Sequence, residues 1–236
     1  KYGVKVIGLD ILFMDRDRTN PEYDKILSKT IREYKNVVIA SSIDEDGNLE
    51  LPIKELREST TNFASLSAAM MLDVDGKIRR VYPFVTEMIL NGKDLTFSYK
   101  DICNSCDDLK DVGLPLLGTY LYSYYSGVDL KELYKKWHNE YGDRPLILNF
   151  RESKFNSLTV MYDYVSAKDV IEDSVDEGLK KRLKNAIIIV GSVAQGAFDH
   201  FPTSIHQQTP GVEIHALCID NLLNDDYLRN VKFYIF

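Results

Sequence analysis

Two short apolar runs rich in β-branched residues, VKVIGLDILF at 4–13 and NVVIASS at 36–42, flank a stretch with helical periodicity, and this alternation constrains the fold more than any other feature. Continuous apolar runs of this length mark strands buried on both faces, as in a parallel sheet. Between them comes a polar loop, DRDRTN. A helix is then expected, with Asn20 as N-cap, Pro21 at the first helical position, and Tyr23, Ile26, Leu27, Ile31 and Tyr34 on one face. Such a β-α-β unit implies parallel strands joined by a right-handed crossover. A third buried strand is expected in NAIIIVGSVAQG, ending at Gly191.

The rest of the chain elaborates this frame. Residues 43–62 are mixed and polar and are expected to cross the surface, whereas AAMMLDVDGKIRRVYPF at 68–84 carries Asp75-Gly76 between two apolar stretches, a hairpin signal. Leu114–Tyr125 reads as helical. Asp129 should cap a helix bearing Leu130, Leu133, Tyr134, Trp137 and Tyr141 on one stripe, with Glu132 completing a capping box and Gly142 ending it. PLILNF at 145–150 and LTVMYDYV at 158–165 are strand-like. Ser166 with Asp169 reads as the capping box of a short helix through Ile171, and a second short helix is expected at Asp176–Lys184. Gly211–Leu223 should be helical, with Ile214, Leu217, Cys218 and Leu222 on one side.

The expectation is a single α/β domain over 1–236. It has a mainly parallel or mixed central sheet flanked by helices, a hairpin excursion, and a helical insertion at about 100–145.

Charge narrows the partners. The 236 residues carry a formal net charge of −7, which argues against nucleic acid, whose phosphates are held by clustered Lys and Arg. Local basic runs at Lys77, Arg79 and Arg80 and at Lys180, Lys181, Arg182 and Lys184 read as solvated faces. No stretch approaches the ~18–20 apolar residues of a membrane span. Because the chain enters an apolar strand almost at Lys1 and ends on KFYIF, it reads as a fragment of something longer.

Three cysteines add little. Cys103 and Cys106 form CNSC, flanked by Asp101, Asp107 and Asp108, whose charge should raise the thiol pKa and disfavour a redox pair. A zinc site lacks a second pair, which leaves a loop disulfide or idle thiols, while Cys218 reads as core. No H-E-x-x-H, G-x-S-x-G or Walker motif is present, and no cofactor is called for.

Three segments in order, VKVIGLDILF, LDVDGKIRRVYP, and AIIIVGSVAQGAFDHFPT followed by TPGVEIHALCIDNLL, resemble the hallmarks of the CHASE2 sensor family. The resemblance implies an extracytoplasmic, periplasmic domain of a bacterial membrane protein. It also implies flanking transmembrane helices, a homodimer, and a cytoplasmic kinase or cyclase effector, as in two-component signalling. The ligand, a small molecule or protein, is left open. After Asp199 the loop HFPTSIHQQTP offers either Thr203 or Thr209-Pro210 for the family's Asp-to-Thr-Pro spacing.

In an open parallel sheet the loops at the C-terminal strand edge converge on a crevice. Asp10, Arg80, Ser192, Asp199, Thr203 and His215 are the ligand-site candidates there, with no catalytic or metal-binding residue assigned. Each has an ordinary structural reading too. Asp10 can cap loop amides, Asp75 can simply make the hairpin turn, and His215 on an apolar helix is more often a satisfied, half-buried side chain. Arg79 and Arg80 alternate on a strand, so only one can face a pocket. A divergent metal-dependent hydrolase using Asp10, Asp199 and His215, or a structural dimerisation module, are the competing classes.

Overall fold

The structure, a computed structural model, describes residues 2–43, 48–66, 70–86, 112–142, 144–151, 162–193 and 199–229. In chain order they form β1 (Val6–Leu9), α1 (Glu22–Tyr34), β2 (Val37–Ile43), β3 (Leu49–Glu50), α2 (Lys54–Arg57) and β4 (Phe63–Ser65). There follow β5 (Met70–Leu72), β6 (Ile78–Val81), β7 (Phe84–Val85), β8 (Leu114–Pro115), α3 (Leu117–Ser126), α4 (Leu130–Tyr141) and β9 (Leu146–Ile147). The last are α5 (Ala167–Ile171), α6 (Glu177–Leu183), β10 (Ile187–Val190), β11 (His200–Phe201), β12 (Thr209–Pro210) and α7 (Gly211–Asn224).

β1 and β2 are parallel and joined through α1, as the β-α-β expectation has them. β10, β1, β2 and β4 lie side by side and all parallel, with Val6 to Leu9 paired to Ile187 to Val190 and Ile39 to Ser41 paired to Phe63 to Ser65. β3 runs antiparallel along the end of β2, making the sheet mixed. Alternate residues of β2 serve opposite faces. Val37 and Ile39 join Ile7, Leu9 and Ile31 of α1 on one side. Val38 and Ala40 join Val6, Ala64, Leu117 and Leu121 on the other, under α3 and Ile219 of α7. Period-two alternation thus builds a sheet covered by helices on both faces.

Several local expectations shift. α1 begins one residue later than its sequence signals: Pro21 is the N-cap with no side-chain cap, and Asp17 instead accepts from the N–H groups of Thr19 and Asn20. Its buried face is Ser28 and Ile31, with Leu27 beside them, while Tyr23, Ile26 and Tyr34 are 60%, 59% and 60% exposed. The five apolar residues span a wider arc than the sheet covers, so part of the stripe stays in solvent.

The stretch 43–62 does more than cross the surface, since Ile53 and Leu56 enter the core. The parallel strand β4 carries no sequence signal of its own length. β10 is only half buried, and among the described residues it pairs with β1 alone. At Leu114 the chain forms strand β8 before the helix starts at Leu117.

The Asp75-Gly76 hairpin is present, with β5 and β6 antiparallel and Gly76 at φ 74°. β6 continues into a pairing with β9, the PLILNF strand. Of LTVMYDYV, residues 158–161 lie outside the described residues and 162–165 are irregular; Cys103 and Cys106 also lie outside them. Ser166 sits at the start of α5, but its hydroxyl makes no cap, whereas Asp176 accepts from Leu179 N–H at 2.7 Å and caps α6.

α4 is as expected. Asp129 accepts from the N–H of Lys131 at 2.8 Å and of Glu132 at 3.4 Å, and Gly142 closes the helix at φ 56°. Trp137 is buried against Phe84, Tyr134 and Tyr82 and donates its indole N–H to the Arg144 carbonyl at 2.7 Å. Replacing Asp129 by Ala leaves those two amides to water, and denaturant unfolding should show a loss of about 1 kcal/mol. An unchanged midpoint would mean the cap contributes nothing.

Candidate functional site

β1 delivers Asp10 to the C-terminal edge of the sheet. Its N–H donates to the Val190 carbonyl at 2.8 Å, extending the β1–β10 ladder by one bond, so the backbone fixes where the carboxylate stands. α7 delivers His215, fully buried on the helix's fifth residue. Its Nε2 lies 4.0 Å from Asp10 Oδ1, too far for a hydrogen bond. Both ring nitrogens of His215 and Oδ2 of Asp10 are buried without a hydrogen-bond partner among the described residues.

The electrostatics follow from that burial. Removal from water pushes the Asp10 carboxyl up to about 7, with the nearby Asp199 charge adding to it. The same cause pushes His215 down to about 3, so its imidazole is neutral at physiological pH. A buried polar group without a partner costs about 1–3 kcal/mol. A fold tolerates three such atoms in one place where the site has a use for them.

Two glycines make room for the carboxylates. At Gly191, just past β10, a Cβ would fall 3.2 Å from Asp10 Cβ and 3.3 Å from its Oδ2. At Gly211, the first residue of α7, a Cβ would meet the Asp199 carboxylate oxygens at 2.5 and 2.6 Å. Asp199 therefore lies directly against the helix N-terminus, where the dipole favours negative charge, and its backbone carbonyl accepts from Gly211 N–H at 3.0 Å. Burial raises the Asp199 carboxyl, while His200 pulls it the other way.

The two threonines that compete for the Thr-Pro position meet each other. Thr203 Oγ1 and Thr209 Oγ1 are 3.0 Å apart and buried, and β11 pairs with β12 around them. Thr203 N–H also donates to the His206 carbonyl at 2.7 Å, so Thr203 fastens the loop that leads into α7.

The candidates thus divide. Asp10, Asp199 and His215 gather at the strand ends beside the start of α7, while Thr203 bonds to Thr209 just before that helix and bridges to Ile78 of β6. Ser192 follows β10 but is exposed. Arg80 is held in the hairpin by Asp73 at 3.2 Å, and Arg79 by Asp73 and Asp75 at 2.8 and 2.6 Å, so Asp75 acts as an ion-pair partner as well as a turn residue. His215 departs from the ordinary reading on both counts, being fully buried and without a bond to either nitrogen. The sequence reading missed Glu213, a buried carboxylate that shares a hydrogen bond with Tyr164. Its signal was a charge between Val212 and Ile214 in an otherwise apolar helix.

Cys218 is core, its thiol pushed up to about 12 by burial. Among the described residues no group of three His, Cys, Asp or Glu side chains is close enough to hold a metal ion. No helix among them is long and apolar enough to cross a membrane.

No curated protein and no solved structure matches the chain. The family model of the CHASE2 domain matches residues 1–235, in agreement with the order of the strand, hairpin and α7 segments. The chain belongs to the CHASE2 family, whose members are extracellular sensor domains of signalling proteins, sensory rather than catalytic.

Proposed function

We propose that this domain detects its ligand at the C-terminal edge of the sheet, through Asp10, Asp199 and His215, with Thr203 holding the loop beside them. The observation that carries this reading is the buried His215, whose two ring nitrogens are unbonded among the described residues, 4.0 Å from Oδ1 of Asp10, a carboxylate whose Oδ2 is likewise buried without a partner. A neutral imidazole offers one donor and one acceptor, and a carboxyl poised near neutrality can accept or donate. That set suits a small polar ligand, uncharged or cationic, whose hydrogen bonds replace the missing ones. The domain signals through transmembrane helices flanking this segment, as part of a homodimer held to the cell membrane. Ligand binding there shifts an equilibrium between two arrangements of those helices.

Thermal shift assays against amino acids, polyols and small amines test the site. A ligand at 100 times its dissociation constant should stabilise the protein by about 2.7 kcal/mol. The gain should vanish in His215→Leu and in Asp10→Asn. Silence across the panel, or a shift that both variants keep, favours a structural module. A full reading frame without membrane spans on either side would end the transmembrane part of the proposal.

A further inference from the structure

The opposite edge of the sheet has its own character. An open surface depression lies there, lined by Tyr2, Asp173, Lys180, Lys181 and Lys184. Tyr2 donates its hydroxyl to Asp173, whose charge also acts on Lys180, so the lining sets three ammonium groups against one carboxylate. Lys180 is paired with Glu177 at 2.9 Å, whereas Lys181 and Lys184 have no acidic partner among the described residues. Their neighbour Arg182 is bound to Asp163.

Lysines in the last turn of α6 suit that helix's dipole, and this alone would explain them. It does not explain why the same edge collects lysines from other elements. Lys5 directly precedes β1, Lys35 lies two residues before β2, and Lys184 three before β10. These strands are parallel, so all three lysines stand at one end of the sheet, and all are exposed. The carboxylates Asp10 and Asp199 stand at the other. In a chain with a net charge of −7, these exposed lysines thus gather at the end of the sheet away from the candidate site.

We infer that this depression binds a phosphate group, carried either by a free anion or by a lipid headgroup. Ammonium groups on flexible stems suit phosphate as point charges, and an open depression leaves the phosphate's substituent in solvent or in a bilayer.

The test uses the 236-residue chain. It is titrated with sodium pyrophosphate by calorimetry, and separately sedimented with phosphatidylcholine vesicles containing phosphatidylglycerol. Saturable binding is expected in at least one arm. Pyrophosphate binding identifies a free anion, and sedimentation without pyrophosphate binding identifies a headgroup. Lys181→Glu with Lys184→Glu should weaken binding about tenfold, while the paired arginine substitutions keep it. Lys29→Glu with Lys135→Glu makes the same charge change elsewhere and should leave it intact. Lys184→Gln alone serves if the double reversal does not fold. Added salt should weaken binding, as screening requires. No binding in either arm, or an equal loss in both double reversals, overturns the inference.

Discussion

Asp10→Asn should make the protein more stable at pH 8, by up to about 4 kcal/mol, and change little below pH 4. The folded-state value of about 7 stands above the unfolded value of 3.8, so between those limits the native state holds a proton that the unfolded chain has released. Stability from this group is thus complete at low pH and is lost as pH rises through about 7. Asparagine keeps the shape of the protonated acid and has nothing to lose. His215 acts in the opposite sense. Its folded value of about 3 lies below 6.5, so the unfolded chain takes up a proton that the native state refuses, and stability falls as pH drops.

From about pH 4 to 6.5 the two slopes cancel in the wild type, and its stability should be nearly flat there. In Asp10→Asn only the histidine slope remains, and stability should climb across that same range. Chemical denaturation at several pH values measures both profiles. A variant no more stable than wild type at pH 8 would sink this account.

Gly118→Val should cost about 3 kcal/mol or more, because two helices would have to part. Gly118 is in α3, and a Cβ there would sit 2.7 Å from the His215 carbonyl and 3.0 Å from Cys218 Cβ, both on α7. Neither is the far end of a flexible side chain. On helix propensity alone, replacing a helical glycine gains up to about 1 kcal/mol, so the sign of the result decides between the two effects. If α7 moves away from α3, His215 moves with it. Thermal melting of Gly118→Val and Gly118→Ala should show graded losses, the alanine smaller; any stabilisation would mean the helices are not in contact here.

What was legible in the sequence was whatever had a local signal. β1, β2, β10, the Asp75-Gly76 turn and α4 with its two ends all announce themselves within a dozen residues, since a β-branched apolar run, a left-handed glycine and a capping carboxylate are short-range signals, although the run at β10 overstated its burial. β4 was not legible, because three residues buried between β2 and α3 carry no period. The exposed half of the α1 stripe was misread for a related reason: periodicity places side chains on an arc, and only the neighbouring sheet decides how much of that arc is covered.

At the site, Asp10, Asp199 and His215 could be nominated from their positions at strand and helix ends. That His215 would be sealed in without a bond, and that Arg80 would be drawn into the hairpin by Asp73, depended on partners distant in sequence or on the turn's own geometry. Glu213 escaped notice because a glutamate in a first helical turn usually satisfies the dipole and faces water.

The far end of α7 is fastened as firmly as its beginning. Asn221 is buried and clasps Asn149 in both directions, accepting from its N–H at 2.7 Å and donating to its carbonyl at 3.3 Å. Asn149 in turn donates to the Asp226 carbonyl, and Leu228 N–H reaches Ile147 of β9 at 2.8 Å. Fourteen helical residues make a rod about 21 Å long, and such a rod does not shorten. α7 is therefore a strut of fixed length, its first turns beside Asp10 and its far end tied to β9, which pairs with β6 of the hairpin sheet.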